Sequence, residues 1–484
     1  MKNESLKSKT IFGMFWKFCE NGAAQIVHFV VSIILARMLL PEDYGIIALV
    51  SLFITLCDKL VISGFATSLV QKKDADNKDF STIFFFSLGM SLALFALMYF
   101  GAPLIADFYN TYNREILIPV IRVMSVQIIV VGINSVQNAY VSRTMQFRRH
   151  FVSNFTATVI AAVISITMVY NGFGVWALVA QYIIKNFVGM AVLWFTVRWR
   201  PDFVFSFKRF KELYSYGWKI FLSSIIKTLY NDARSLVIGK VYSSADLAFY
   251  NKGQSFPQLV ETNIAGAIDS VLFPAIAKKQ ADLNQMCSML RRAIKTSTYV
   301  ITPLLVGLAS VSLPLVTLLL TENWLECVFY LQILSISFAF EPIANENLQA
   351  IKAVGRSDLV LKLEVIKRTL GIILLIVAIP FGVKMIAVSL LVSNILAAVI
   401  NAIPNKKLLG YKYKDQIFDI LPSFLMSLVM YIAVYPISFL GIAPILILLI
   451  QVIVGVIVYL AMSFITKNEN FKYILKTVKG FIKK

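Results

Sequence analysis

The chain alternates long apolar runs with short polar punctuation that is mostly basic. No charge occurs from Phe80 to Ala106, or from Ile420 to Thr466. A run of about 20 mostly apolar residues is long enough to cross a bilayer as a helix. Such runs lie near 12–37, 44–69, 80–106, 116–141, 151–170, 174–197, 213–239, 247–275, 290–319, 325–351, 359–380, 383–404, 418–437 and 442–465. The pattern predicts an all-α polytopic membrane protein with fourteen transmembrane helices. The polar segment from Met1 to Thr10 is followed by an apolar stretch containing Lys17 and Glu20 and reaching Met38. That is too long and too polar for a signal-peptide core, so it reads as the first span.

The punctuation supplies an independent check. With the N-terminus inside and the spans alternating, the inside segments hold thirty Lys and Arg. The outside loops hold four: Arg37, Arg114, Lys240 and Lys384. Cytoplasmic loops carry such an excess, and one wrong span would scramble the alternation after it. The chain is therefore predicted to sit in the cell membrane with both termini cytoplasmic. The basic, phenylalanine-rich segment from Trp199 to Glu212 suits the cytoplasmic interface. The tail from Phe471 to Lys484 splits into an apolar and a lysine face, as a surface helix does.

The chain also reads as duplicated. At an offset of 203, Arg37 meets Lys240, Asp43 meets Asp246, and Asp79 meets Asp282. Six spans stand on each side, which predicts two pseudo-symmetric six-helix lobes around a central cavity. The domains expected are residues 1–205 and 206–410 for the lobes, 411–466 for two appended, lipid-facing helices, and 467–484 for the tail.

Composition narrows the chemistry. Of 484 residues, 58% are apolar and 15% charged, with 46 Lys and Arg against 26 Asp and Glu. A mean hydropathy of +0.76 excludes a soluble enzyme and a disordered chain. The basic residues lie between apolar runs, which points to topology and not to nucleic acid. Cys19, Cys57, Cys287 and Cys327 form no CxxC, and His28 and His150 are the only histidines. No disulfide framework, zinc site or other metal site is expected. No P-loop and no long outside loop occurs to hold a catalytic constellation, so neither an enzyme nor a cofactor is predicted.

Charges inside spans are the informative residues, because each costs at least ~2.5–3.5 kcal/mol near mid-bilayer. On helix seven, Tyr216, Lys219, Ser223, Lys227, Tyr230 and Arg234 fall within about 80° of arc. Such a stripe must face water or an anion, or else pair with helix eight, whose Glu261 and Asp269 share a face. Helix one carries Lys17, Gln25 and His28 on one side with Glu20 at its edge, and helix two carries Asp58 with Lys59 beside it. Lys17, Lys59, Lys219, Lys227, Tyr230, Arg234 and Lys252 are the candidate anion-binding residues. Glu20, His28, Asp58, Glu261 and Asp269 are the candidates for H⁺ or Na⁺ binding, or for simple neutralisation of neighbouring lysines. Pro257, Pro303, Pro314 and Pro342 mark candidate bends.

The residues from Ile34 to Gly45 (ILARMLLPEDYG) resemble the "LARLLTPEDFG" signature of bacterial polysaccharide flippases. Ser63 to Lys73, Ala102 to Tyr109, Met145 to Arg149, Phe249 to Gln254 and Val271 to Ala277 are similar to further motifs of that family in the same order. The resemblance covers roughly residues 5–410. It points to the lipopolysaccharide, colanic-acid and teichuronic-acid branch of the multidrug/oligosaccharidyl-lipid/polysaccharide exporter superfamily. It implies a V-shaped pair of lobes that moves an undecaprenyl-pyrophosphate-linked oligosaccharide across the membrane by alternating access. It implies the lipid bilayer, a polysaccharide polymerase and chain-length proteins as partners. A pyrophosphate is a dianion, and Lys and Arg are its natural counter-ions. A drug antiporter of the same superfamily would want acidic cavity walls, and a membrane polymerase or ligase a large outside loop. Single cysteines at Asn171, Asn323 and Gly441 of a cysteine-free variant should react with an impermeant thiol reagent in intact cells. Those at Asn77, Lys279 and Lys407 should not, and reversed labelling at any site breaks the topology from that point on.

Overall fold

The computed structural model describes residues 25, 27, 29–62, 68–69, 72, 74–110, 112–277 and 282–472. At 216–217, 219–220, 265–275, 277 and 357 it describes the backbone alone. Lys17, Glu20, His28 and the tail from 473 onward lie outside the described residues, as do the side chains of Lys219 and Asp269.

Among the described residues there are helices and no strand. They are α1 (Phe29–Met38), α2 (Pro41–Ile62), α3 (Asn77–Phe108), α4 (Arg114–Arg143), α5 (Phe147–Tyr170), α6 (Val175–Thr196) and α7 (Phe207–Val241). Then come α8 (Ser244–Ala277), α9 (Leu283–Ser310), α10 (Cys327–Ala353), α11 (Ser357–Ala378), α12 (Val383–Ala402), α13 (Tyr413–Val434) and α14 (Pro444–Ile465). The expected runs from 44 onward each overlap one or more described helices, and of the run near 12–37 the described helix is Phe29–Met38. Nine of the described helices are long and apolar enough to cross a membrane, or ten if α9 and the following helix Ser312–Leu320, bent by 65°, form one span. The protein is thus a multi-pass membrane protein. α7, α8 and α11 are not among the nine; each carries charged residues along its length.

Two of the four marked prolines sit at breaks. The bend after Ser310 precedes Pro314, and α10 consists of two runs, Cys327–Phe338 and Glu341–Ala353, with Pro342 in the first turn of the second. Proline has no N–H to give the preceding turn, so the helix yields there. Pro257 and Pro303 lie inside continuous α8 and α9.

The duplication is written in the helix caps. α2 and α8 begin 203 residues apart, and each has an aspartate in its first turn that accepts from the N–H at its start. Asp43 Oδ2 accepts from Leu40 N–H at 3.3 Å, and Asp246 Oδ2 from Ser243 N–H at 3.2 Å. Such a carboxylate satisfies an orphan N–H and complements the helix dipole. The α4–α5 and α10–α11 corners repeat one three-bond pattern. Thr144, Met145 and Gln146 donate to the carbonyls of Tyr140, Ser142 and Val141, as Val354, Gly355 and Arg356 donate to those of Ala350, Lys352 and Ile351. The central residue is left-handed in both, at φ 55° for Met145 and 84° for Gly355. Phe173-Gly174-Val175 and Phe381-Gly382-Val383 likewise open α6 and α12. One expected pairing shifts: Asp76, not Asp79, is the N-cap of α3, as Asp282 is of α9. The offset there is 206, because α9 begins 39 residues after the start of α8 whereas α3 begins 36 after the start of α2.

By packing, the chain divides into residues Met1–Ala248 and Phe249–Lys484. α7 belongs to the first unit. That unit has a core of Leu69, Phe80, Phe84, Val136, Trp199 and Leu213 where α3, α4 and the base of α7 meet. In the second, Met286, Leu290, Ile294, Ala350 and Tyr411 form one cluster, and Tyr299, Met426, Met430 and Tyr459 another. The second cluster docks α13 and α14 on α9. Tyr299 Oη donates to or accepts from Ser463 Oγ at 2.8 Å, and Tyr459 Oη donates to the Tyr299 carbonyl at 2.8 Å. The pair expected to be lipid-facing therefore has one docked side, and its other side exposes Leu446, Leu449, Ile453 and Val456. Its helical start also holds a charge, Asp419, which is 6% exposed.

Gly45 of α2 touches the start of α8: a Cβ there would lie 1.9 Å from the Ser244 carbonyl oxygen. Gly101 has nothing within 4 Å. Gly45→Ala should cost about 1–3 kcal/mol or more through forced backbone movement. A thermal melt in detergent should show a lowered Tm for Gly45→Ala and none for Gly101→Ala. Equal melts would mean α2 and α8 do not approach as described.

Candidate functional site

α7 runs 35 residues without a break. Tyr216, Lys219, Ser223, Lys227, Tyr230 and Arg234 therefore share one side of it. Exposure along that side is graded: Ser223 and Lys227 are exposed, Tyr230 is half-buried, and Arg234 is 4% exposed. Between Leu213 and Arg234 no described side chain of α7 is buried. Lys227 forms no ion pair among the described residues.

The other intramembrane charges are differently placed. Lys252 is 9% exposed, with its ammonium 5.8 Å from the ring centroid of the fully buried Trp324. That is a packing position for a cation, in which the indole face supplies attraction. Lys59 is exposed on α2. Next to it Asp58 is half-buried, and its Oδ1 is enclosed without a hydrogen-bond partner. Lys295 of α9 binds Asp419 at 3.1 Å, alongside Arg291 at 2.5 Å. On α11, Glu364 holds both Lys367 at 2.6 Å and Arg368 at 3.3 Å.

Glu261 of α8 has a partner that sequence reasoning missed. Its carboxyl hydrogen bonds with that of Glu341, at the start of the second run of α10. Asn394 of α12 donates to Glu341 Oε1 at 3.3 Å and to Ser337 Oγ at 3.1 Å. Two carboxyl groups hydrogen bond only when one of them carries a proton. Three helices of the second unit thus bring two carboxyl groups and the Asn394 amide together. Its signal was an acidic residue, Glu341, within an apolar run, passed over because it had no charged neighbour in sequence. No group of three His, Cys, Asp or Glu that could hold a metal ion occurs among the described residues.

Residues 34–329 match the family model described as "Polysaccharide biosynthesis protein". The chain is 26% identical to the teichuronic acid biosynthesis protein TuaB of Bacillus subtilis over 61% of each chain. It is 24% identical to the succinoglycan biosynthesis transport protein ExoT of Rhizobium meliloti, over 70% of this chain and 68% of that one. It is also 24% identical to the lipopolysaccharide biosynthesis protein WzxC of Escherichia coli, over 88% of this chain and 86% of that one. In fold it is similar to the lipid II flippase MurJ in an inward closed conformation, with a TM-score of 0.76 at 18% identity, covering 94% of this chain and 98% of that one. An inward-facing multidrug resistance MATE transporter follows at TM-score 0.64 and 16% identity, covering 80% and 94%. The apolar helices, the ordered motifs and the family match over most of the chain agree: this protein belongs to the polysaccharide biosynthesis protein family of membrane proteins.

Proposed function

We propose that the protein is a flippase that carries an undecaprenyl-pyrophosphate-linked oligosaccharide across the cytoplasmic membrane by alternating access. In this reading all fourteen helices span, both termini are cytoplasmic, and the charged helices α7, α8 and α11 face away from lipid. The observation that carries it is the middle of α7, with no buried side chain among those described and with Lys227 on its cationic side in no ion pair with a described residue. A lysine in that position is tolerated in a membrane only where water or an anion meets it. Lys219, Lys227, Tyr230 and Arg234 would take the pyrophosphate or acidic sugars, while the lipid tail stays in hydrocarbon. The similarity to TuaB, ExoT and WzxC, proteins of teichuronic acid, succinoglycan and lipopolysaccharide biosynthesis, supports this substrate class. A basic stripe disfavours a cationic drug as cargo. Lys252, packed on Trp324, would act there as a structural cation and not as a ligand.

A charge-assisted hydrogen bond is worth about 1.5–3 kcal/mol, or about 10- to 150-fold in an equilibrium. Lys227→Ala should therefore reduce surface polysaccharide by at least about tenfold while inserting and melting like the parent. Lys227→Arg should keep much of the export. Loss of both accumulation and Tm in Lys227→Ala would mean a stranded carboxylate and an ion-paired lysine. Normal export by a well-expressed Lys227→Ala protein would remove the stripe from the mechanism.

The Glu261–Glu341 pair supports proton coupling. A shared proton that leaves and returns once per cycle would tie flipping to the proton gradient. Glu341→Gln keeps the shape and hydrogen-bonding reach but cannot exchange that proton. In proteoliposomes, transport by the parent should respond to an imposed pH gradient, and transport by Glu341→Gln should not. A parent indifferent to proton gradients, or a variant that keeps its response, counts against this coupling site.

A further inference from the structure

The base of α7 is held by a cluster that the cationic stripe does not explain. Asp79, in the first turn of α3, is 0% exposed. Its Oδ1 accepts Lys72 Nζ at 2.9 Å and Arg209 Nη1 at 3.1 Å, and its Oδ2 caps the Asp76 N–H at 3.2 Å. The same Arg209 nitrogen reaches the Asp76 carboxylate, and Lys72 also lies 3.6 Å from Glu212. Slight burial works against the charge on Asp76. The Asp79 N–H and the Arg209 guanidinium outweigh it and hold the carboxyl below its ordinary value. What Asp76 adds to the cluster is lost only as pH falls through that lowered value.

Neutral bonds continue the seam. Ser206 N–H donates to Thr82 Oγ1 at 3.2 Å, Asp202 N–H to Ser81 Oγ at 2.9 Å, and Ser68 Oγ to the Leu213 carbonyl at 3.2 Å. The far end of α7 is held as well. Ile238 is 0% exposed, a Cβ on Gly239 would meet Leu49 at 3.1 Å, and the Lys240 ammonium sits 4.2 Å from the Phe108 ring centroid. Between those anchors α7 has about 30 Å of helix with no buried described side chain.

We propose that Asp79, with one Arg209 nitrogen forking between it and Asp76, is a positioning centre that fixes the rotation of α7 and so aims the stripe at its anionic ligand. An unbroken helix turns as one body, so the rotation set at its base carries along its length to the stripe. Asp79 touches no ligand; it acts through Lys219, Lys227 and Arg234. This inference rests on the reading of the stripe given above, and its first readout does not.

In a cysteine-free protein, spin labels at Ile226 of α7 and Leu92 of α3, both exposed and both in the first unit, report the angle of α7. The parent should give one narrow distance distribution. Arg209→Gln should broaden or shift it, with export down by about tenfold or more, since displaced binding groups lose their ligand. Arg209→Lys keeps the charge without the fork and should restore most of both. Glu212→Gln, which removes only the rim contact, should match the parent in both. If Arg209→Gln fails to accumulate, the Arg209→Lys distribution decides, and it should be measurably broader than the parent's. A distribution unchanged in both Arg209 variants overturns the positioning role, whatever happens to export. A broadened distribution with full export overturns the claim that aim matters, while Lys227→Ala separately tests the stripe itself.

Discussion

An ion cannot stand alone in hydrocarbon, and the described charges of this protein are arranged around that cost. Asp79 and Asp419 are both nearly inaccessible, and each is gripped by two cations: Lys72 and Arg209 on the first, Arg291 and Lys295 on the second. Glu364 binds two more within α11. Glu261 and Glu341 meet carboxyl to carboxyl, and Lys252 rests on an indole. A broken buried pair costs about 3–5 kcal/mol, so these arrangements also hold helices in place. Exposed and unpaired Lys227 departs from the rule, which is why it bears on function.

The two gripped carboxylates do the same work in the two units. In each, one helix docks on another through a gripped carboxylate: α7 on α3 through Asp79 and Arg209, and α13 on α9 through Asp419 and Arg291. The acid and base have changed sides, since the carboxylate belongs to α3 in one unit and to α13 in the other. The repeat therefore extends beyond the caps to the way the next helix is attached. It also gives α13 and α14 a docked side, built from Tyr299, Tyr459 and Ser463, behind their exposed leucine and isoleucine face.

Much of this was legible in the residue order. Hydrophobic run length placed the helices, because a bilayer demands about 20 apolar residues and little else. Asp43 and Asp246 were visible as an equivalent pair since a first-turn aspartate has a local job, capping a nearby N–H. The side of α7 on which Lys219, Lys227 and Arg234 stand follows from helical periodicity alone. Basic punctuation supplied a topology whose logic needs no tertiary contact.

Contacts distant in sequence were decided only by the folded chain. Glu261 and Glu341 are 80 residues apart, and nothing in either neighbourhood announces the other. Asp419 lay at the edge of an apolar run, where a solvated helix end and a buried double ion pair read alike. Asp79 was seen as a repeat marker, but its burial depends on Arg209 arriving from the base of another helix. Periodicity and length are properties of a single helix and survive in one dimension. Whether a charge is paired, shared or left to water depends on which helix packs beside it, and only tertiary structure chooses that neighbour.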